Sequence, residues 1–135
     1  MRVMLDTNII ISILIFNSQN LKKMLVDICN NHQLVLSSYI IDELNEVIKR
    51  KFPNGQQELD NFLLKIPCEI EYTPKNIPDI KEIEIRDKKD KPILYSAITA
   101  NVDILITGDK DFSEIDIDKP EIMKVTEFLD KYCSE

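Results

Sequence analysis

Apolar residues recur along this chain in two rhythms. Residues 2–5, 34–36 and 104–106 are short, nearly continuous apolar runs, the pattern of strands covered on both faces. Between them, Leu21, Met24, Leu25 and Ile28 repeat at i, i+3, i+4, i+7, an amphipathic helix that Asn30 and Asn31 end. Ser37 and Ser38 offer an N-cap for a second helix, which buries Ile40, Ile41, Leu44, Val47 and Ile48 and carries Lys49, Arg50 and Lys51 in its last turn. Pro53-Asn54-Gly55 is a turn before a third helix over 57–65, with Leu59, Phe62 and Leu63 on its apolar face. Residues 9–16 are apolar except for Ser12; the asparagine before them and Asn17-Ser18 after them favour a short buried helix over a continued strand.

The second half is less regular. Residues 67–79 hold three of the six prolines and read as a connector with one strand over 68–72. A helix is predicted over 91–100, with Pro92 in its first turn, where a missing N–H costs little. A last short strand is expected over 122–125, and Thr126 is expected to cap a C-terminal helix carrying Phe128 and Leu129. Strands alternating with helices predict an α/β fold, a parallel sheet with helices on both faces.

In such sheets, sites form beyond the carboxyl ends of the strands. That rule changes the meaning of the stretch VMLDTNIIIS at 3–12, where an acid, a hydroxyl and an amide interrupt apolar sequence. Asp6 follows the first strand directly, and Asp109 follows the strand over 104–106 by three residues. Glu43 falls beside Ile40 and Leu44 on a semi-buried helical face, and Asp90 opens the helix that precedes the strand over 104–106. Unpaired, four grouped carboxylates would repel and raise one another's pKa values; Mg²⁺ or Mn²⁺ would turn them into hard oxygen ligands. Two such ions ~4 Å apart can clamp a phosphodiester. Taken singly, each acid has a plainer reading: Asp6 and Asp90 as helix caps, Asp109 as a turn residue, Glu43 as a surface residue.

Composition narrows the options further. A length of 135 residues and 44% hydrophobic content suit a single domain over 1–135. The net charge of −7 counts against a generic nucleic-acid binder, although carboxylates gathered around a cation would also make the total negative. Cys29, Cys68 and Cys133 are far apart and form no C-x-x-C, so a reducing, cytoplasmic setting is expected. A Ser-His-Asp or Cys-His site would have to use His32, which reads as an exposed residue at a helix end. The apolar run over 9–16 is far shorter than the ~20 residues of a membrane span, so a soluble protein without membrane contact is expected. That run is also longer than one buried face needs, which admits packing against a second copy.

These residues resemble the PIN domain family, of the kind found in VapC-type toxin–antitoxin nucleases. The resemblance covers nearly the whole chain. It rests on VMLDTNIIIS, on LVLSSYIIDELNEVI with its serine followed by a helical glutamate, and on DKKDKPILYSAITANVDILITGDKDF with its T-x-D after a strand. It implies a three-layer α/β/α sandwich with a central parallel sheet, and Mg²⁺- or Mn²⁺-dependent cleavage of RNA. Asp6, Glu43, Asp90 and Asp109 take the catalytic metal-site positions. Thr7, Asn8 and Thr107 take supporting polar positions that fix a carboxylate rotamer or a water. Asp111 would replace or assist Asp109, and Asp87 more plainly caps the Lys88-Lys89 turn. An antitoxin partner and a homodimer are also implied.

Among the basic clusters, Lys22-Lys23 and Lys49 to Lys51 read as solvated helix ends, while Lys88-Lys89 with Lys91 is a candidate for phosphate positioning. Two rival readings stand beside the nuclease. A small-molecule phosphoesterase of the haloacid-dehalogenase type would want a D-x-D opening, where this chain has Asp6-Thr7-Asn8. A catalytically weak PIN fold that only binds RNA would be expected to lack one of the four acids.

Overall fold

A computed structural model describes residues 1–16, 18–75, 91–110, 112 and 117–133. Strands β1 (Arg2–Leu5), β2 (Gln33–Ser37), β3 (Glu69–Glu71), β4 (Ile104–Ile106) and β5 (Glu121–Met123) form one sheet in the order β3-β2-β1-β4-β5. Every pairing is parallel. The chain winds outward from β1 to β2 and β3, then returns to the other side of β1 for β4 and β5. The order therefore reverses between β1 and β4, where an open parallel sheet leaves a crevice at its carboxyl edge.

Helices α1 (Thr7–Ile15), α2 (Gln19–Asn31), α3 (Ser38–Lys51), α4 (Gln56–Lys65), α5 (Lys91–Thr99) and α6 (Val125–Phe128) cover this sheet. Helices α1, α3 and α4 pack on one another and α5 packs on α3, while α2 packs with α6 and the turn Leu129–Cys133. The result is the α/β/α sandwich that the apolar rhythm predicts. Val3, Met4, Leu5, Ile104, Leu105 and Ile106 are all buried, because inner strands have helices on both faces. The edge strand β3 instead exposes Ile70.

Several local expectations need correction. The C-terminal helix starts at Val125, with Lys124 rather than Thr126 at its N-cap, and the last strand ends at Met123 instead of running to residue 125. His32 does sit at a helix end, but it is half-buried rather than exposed. Phe128 and Tyr132 each present a ring edge-on to its imidazole at 6.0 Å, so the C-terminal helix covers a side chain that local sequence assigns to solvent. The apolar surplus of α1 is largely spent inside the fold: Ile9, Ile10, Ile11 and Ile13 are buried, and only Phe16 at its end is exposed. The cysteines are free thiols, as their spacing predicts, and burial pushes each above the usual thiol range, Cys133 to about 11. No single helix among the described residues is long and apolar enough to cross a membrane.

At the amino edge of the sheet, Asp103 ties β1, β4 and β5 together. Its Oδ2 accepts from the Arg2 backbone amide at 2.8 Å, and its Oδ1 pairs with the Lys119 ammonium at 3.1 Å. The Arg2 amide, and after it Lys119, hold the carboxyl below its ordinary value. A depressed folded pKa adds stability above the unfolded pKa, and that stability is lost as pH falls through the folded value. Because Asp103 is partly exposed, Asp103→Asn should cost only roughly 1 kcal/mol at pH 7. Urea unfolding should show that cost shrinking towards zero in strong acid; an equal cost at both ends of the pH range would show that charge is not its source.

Candidate functional site

Asp6 leaves β1 one residue beyond the Leu5–Ile106 pair, and Thr107 leaves β4 at the same level. The two side chains therefore meet across 101 residues of sequence: the Thr107 hydroxyl donates to Asp6 Oδ2 at 2.8 Å. Asp6 occupies the N-cap position of α1, yet its carboxylate makes no capping hydrogen bond there. Its backbone carries the helix start instead, with the carbonyl accepting from the Ile9 and Ile10 amides and the amide donating to the Ile106 carbonyl. The side chain is thus spared for the crevice, which argues against capping as the reason for an acid here.

Thr107 also receives the Asp109 backbone amide on its hydroxyl at 3.0 Å, while its own amide donates to the Met123 carbonyl. One buried threonine thereby sets the Asp6 carboxylate and the turn that carries Asp109. Asp6 and Asp109 line the same cleft of about 260 Å³, together with Asn8, Ile9, Ser12 and Gly108. A larger groove of about 630 Å³ shares Asp109 with it and runs past Thr107, Phe112, Pro120, Ile122 and Lys124.

Glu43 sits half-buried on α3, and the Tyr39 hydroxyl donates to its Oε2 at 3.3 Å. Burial pushes the Asp6 carboxyl above the ordinary carboxylate range. The Thr107 hydroxyl and the Thr7 amide oppose that rise, and the charges of Glu43 and Asp109 add to it. Glu43 on α3 and Asp109 in the turn after β4 therefore both act electrostatically on Asp6 at the end of β1. This is the situation in which a cation relieves both burial and repulsion.

The remaining predicted residues divide clearly. Asn8 is exposed at the cleft, and Thr7 is buried with no hydrogen-bond partner for its Oγ1. Asp90, Asp111, Asp87 and Lys88-Lys89 lie outside the described residues. Lys91 opens α5, half-buried; Lys22, Lys23 and Lys49 to Lys51 are exposed on α2 and α3. Two polar side chains escaped the sequence reading. Ser12 breaks an apolar run one turn after Asn8, so the i, i+4 spacing on α1 was the available signal. Tyr39 stands four residues before Glu43, the same spacing on α3, although its role shows only once Glu43 is given one.

The donor set suits a hard divalent cation in kind, since it offers carboxylate oxygens and neither imidazole nor thiolate. An orphaned hydroxyl beside Asp6, that of Thr7, is also what an unfilled polar centre leaves. Among the described residues, however, no three such ligands stand close enough to hold a single ion. Asp6 and Asp109 border the cleft, and Glu43 reaches Asp6 by its field.

A sequence-family profile described as "PIN domain" matches residues 2–111 of this chain. No curated protein matches it. Among solved structures, it is similar to VapBC2 from Rickettsia felis bound to a DNA fragment from their promoter, at a TM-score of 0.70 and 20% identity, covering 92% of this chain and 98% of that one. It is also similar to VapBC-1 from nontypeable Haemophilus influenzae, at a TM-score of 0.64 and 21% identity, covering 93% and 99%. At these identities the likeness speaks for the fold.

Proposed function

The chain belongs to the PIN domain family, and from that premise we propose that it is a metal-dependent endoribonuclease, the toxin of a toxin–antitoxin pair acting in the cytoplasm. The observation that carries this reading is the meeting of Asp6 and Asp109 in one cleft at the point where the strand order reverses, with Thr107 bonded to both. Asp6, Glu43 and Asp109 would hold Mg²⁺ or Mn²⁺, joined by Asp90 and, beside Asp109, by Asp111. When bound, such a cation supplies Lewis-acid charge next to a scissile phosphate.

The chain's own groups carry the other tasks. Thr107 fixes the Asp6 rotamer, so the carboxylate is set before substrate arrives. A buried carboxyl whose pKa is raised binds a proton more readily than an ordinary carboxylate, which suits Asp6 for taking a proton from an attacking water. Asn8, exposed at the rim, offers an amide donor to a phosphate oxygen. The cognate antitoxin is the expected protein partner, which is supported by the VapBC structures that share this fold, and the active form is a homodimer. Sizing chromatography of the pure protein tests the dimer.

The decisive experiment incubates purified protein with RNA and Mg²⁺ or Mn²⁺, with and without EDTA. Cleavage that needs the metal supports the nuclease. RNA retention without cleavage in either metal would replace it with a binding module. Turnover of a generic phosphate ester but not RNA would point to a small-molecule phosphoesterase.

A further inference from the structure

The acid on α3 is held from within its own helix. Tyr39 is one turn before Glu43, and its hydroxyl occupies one carboxylate oxygen, Oε2, leaving the second oxygen for other partners. A half-buried glutamate otherwise samples many rotamers, so a fixed donor at this distance selects among them.

Tyr39 is itself held at the level of the backbone. Its amide donates to the Thr73 hydroxyl at 3.5 Å, and the Thr73 amide returns a bond to Ser38 Oγ at 2.8 Å. Thr73 Oγ1 and Ser96 Oγ on α5 lie 2.6 Å apart, and both residues are buried. On the other side of the turn, Ser37 Oγ accepts the Ile40 amide at 3.1 Å. The first turn of α3 is therefore tied to the exit of β3 and to α5 by side-chain hydroxyls, of which those of Ser37 and Ser96 belong to fully buried residues. Tyr39 leaves that turn and meets Glu43 one turn later.

We propose that the Tyr39 hydroxyl is the positioning group for Glu43: by holding Oε2, it sets the rotamer in which the other oxygen serves the acid cleft at Asp6. This rests on the reading of Glu43 as a metal-site acid. A phenol bonded to a ligating carboxylate works as an outer support, and losing such a support weakens metal binding by about tenfold.

The test is Tyr39→Phe, which keeps the ring and its packing and removes only the oxygen. Free Mn²⁺ is followed by its electron paramagnetic resonance signal as protein is titrated, and RNA cleavage is measured over a range of Mn²⁺ concentrations. The Mn²⁺ dissociation constant and the half-saturating Mn²⁺ for cleavage should both rise about tenfold. The rate at saturating Mn²⁺ should fall by less than about threefold, because excess metal restores occupancy. In a Glu43→Gln background the same change should have no further effect on Mn²⁺ binding. If Glu43→Gln weakens Mn²⁺ binding and Tyr39→Phe does not, the positioning role is wrong and the metal site stands. If Glu43→Gln leaves binding unchanged, the role assigned to Glu43 falls, and that of Tyr39 with it.

Discussion

Asp6→Asn is expected to lower RNA cleavage at saturating Mn²⁺ by about a thousandfold or more while leaving the fold intact. Asparagine has nearly the same shape, and its side-chain oxygen can still accept the Thr107 hydroxyl. The backbone bonds that start α1 and join Asp6 to Ile106 do not involve the side chain. What disappears is one negative charge at the junction of β1, β4 and α1, and with it the proton acceptor and the shared cation ligand proposed for Asp6. A thousandfold corresponds to roughly 4 kcal/mol of transition-state stabilisation, the scale of losing one strong electrostatic contact in a water-poor site. Cleavage by Asp6→Asn at the wild-type rate, with matching circular dichroism, would remove Asp6 from the mechanism.

The same substitution should stabilise the metal-free protein. Burial and the neighbouring charges of Glu43 and Asp109 raise the folded pKa of Asp6 above its ordinary value. For a group shifted that way, the associated stability is fully present below the unfolded pKa and is lost as pH rises through the folded one. Asp6→Asn lacks this carboxyl, whose ionised form burial and the two neighbouring charges disfavour. The variant should be more stable by about 1 kcal/mol, or ~3 °C in Tm, in EDTA at pH 7. The gap should close below the unfolded carboxyl range.

Mn²⁺ should reverse the order, since a ligand bound only to the folded state adds about 2.7 kcal/mol at a hundred times its Kd. Wild type gains that increment and Asp6→Asn gains little. Thermal melts at acid and neutral pH, each with EDTA or Mn²⁺, read all four arms. Equal Mn²⁺ shifts for both proteins would place the ion away from Asp6.

Much of this architecture is local. Apolar runs such as 104–106 and the i, i+3, i+4, i+7 face of Leu21 to Ile28 specify strand and helix through burial and periodicity alone. The positions of Asp6 and Asp109 past strand ends follow from the same reading, because a parallel α/β sheet has a defined carboxyl edge. The C-terminal segment was less legible: Lys124 takes the cap position that Thr126 invites, with the Lys124 amide donating to the Glu127 carboxylate. His32 failed for a related reason, since its burial depends on Phe128 and Tyr132 arriving from the other end of the chain.

By itself, then, the order of residues determined which segments are strands or helices, which acids sit at their ends, and the likeness to a family. Only the tertiary structure decided that the Asp6 side chain makes no capping bond to its helix and accepts from Thr107, and that the Asp109 amide donates to the same hydroxyl. Helix capping and a crevice position are equally available to an aspartate read locally. The choice between them belongs to the parallel register of β1 against β4, which brings two strand ends 101 residues apart within one hydrogen bond.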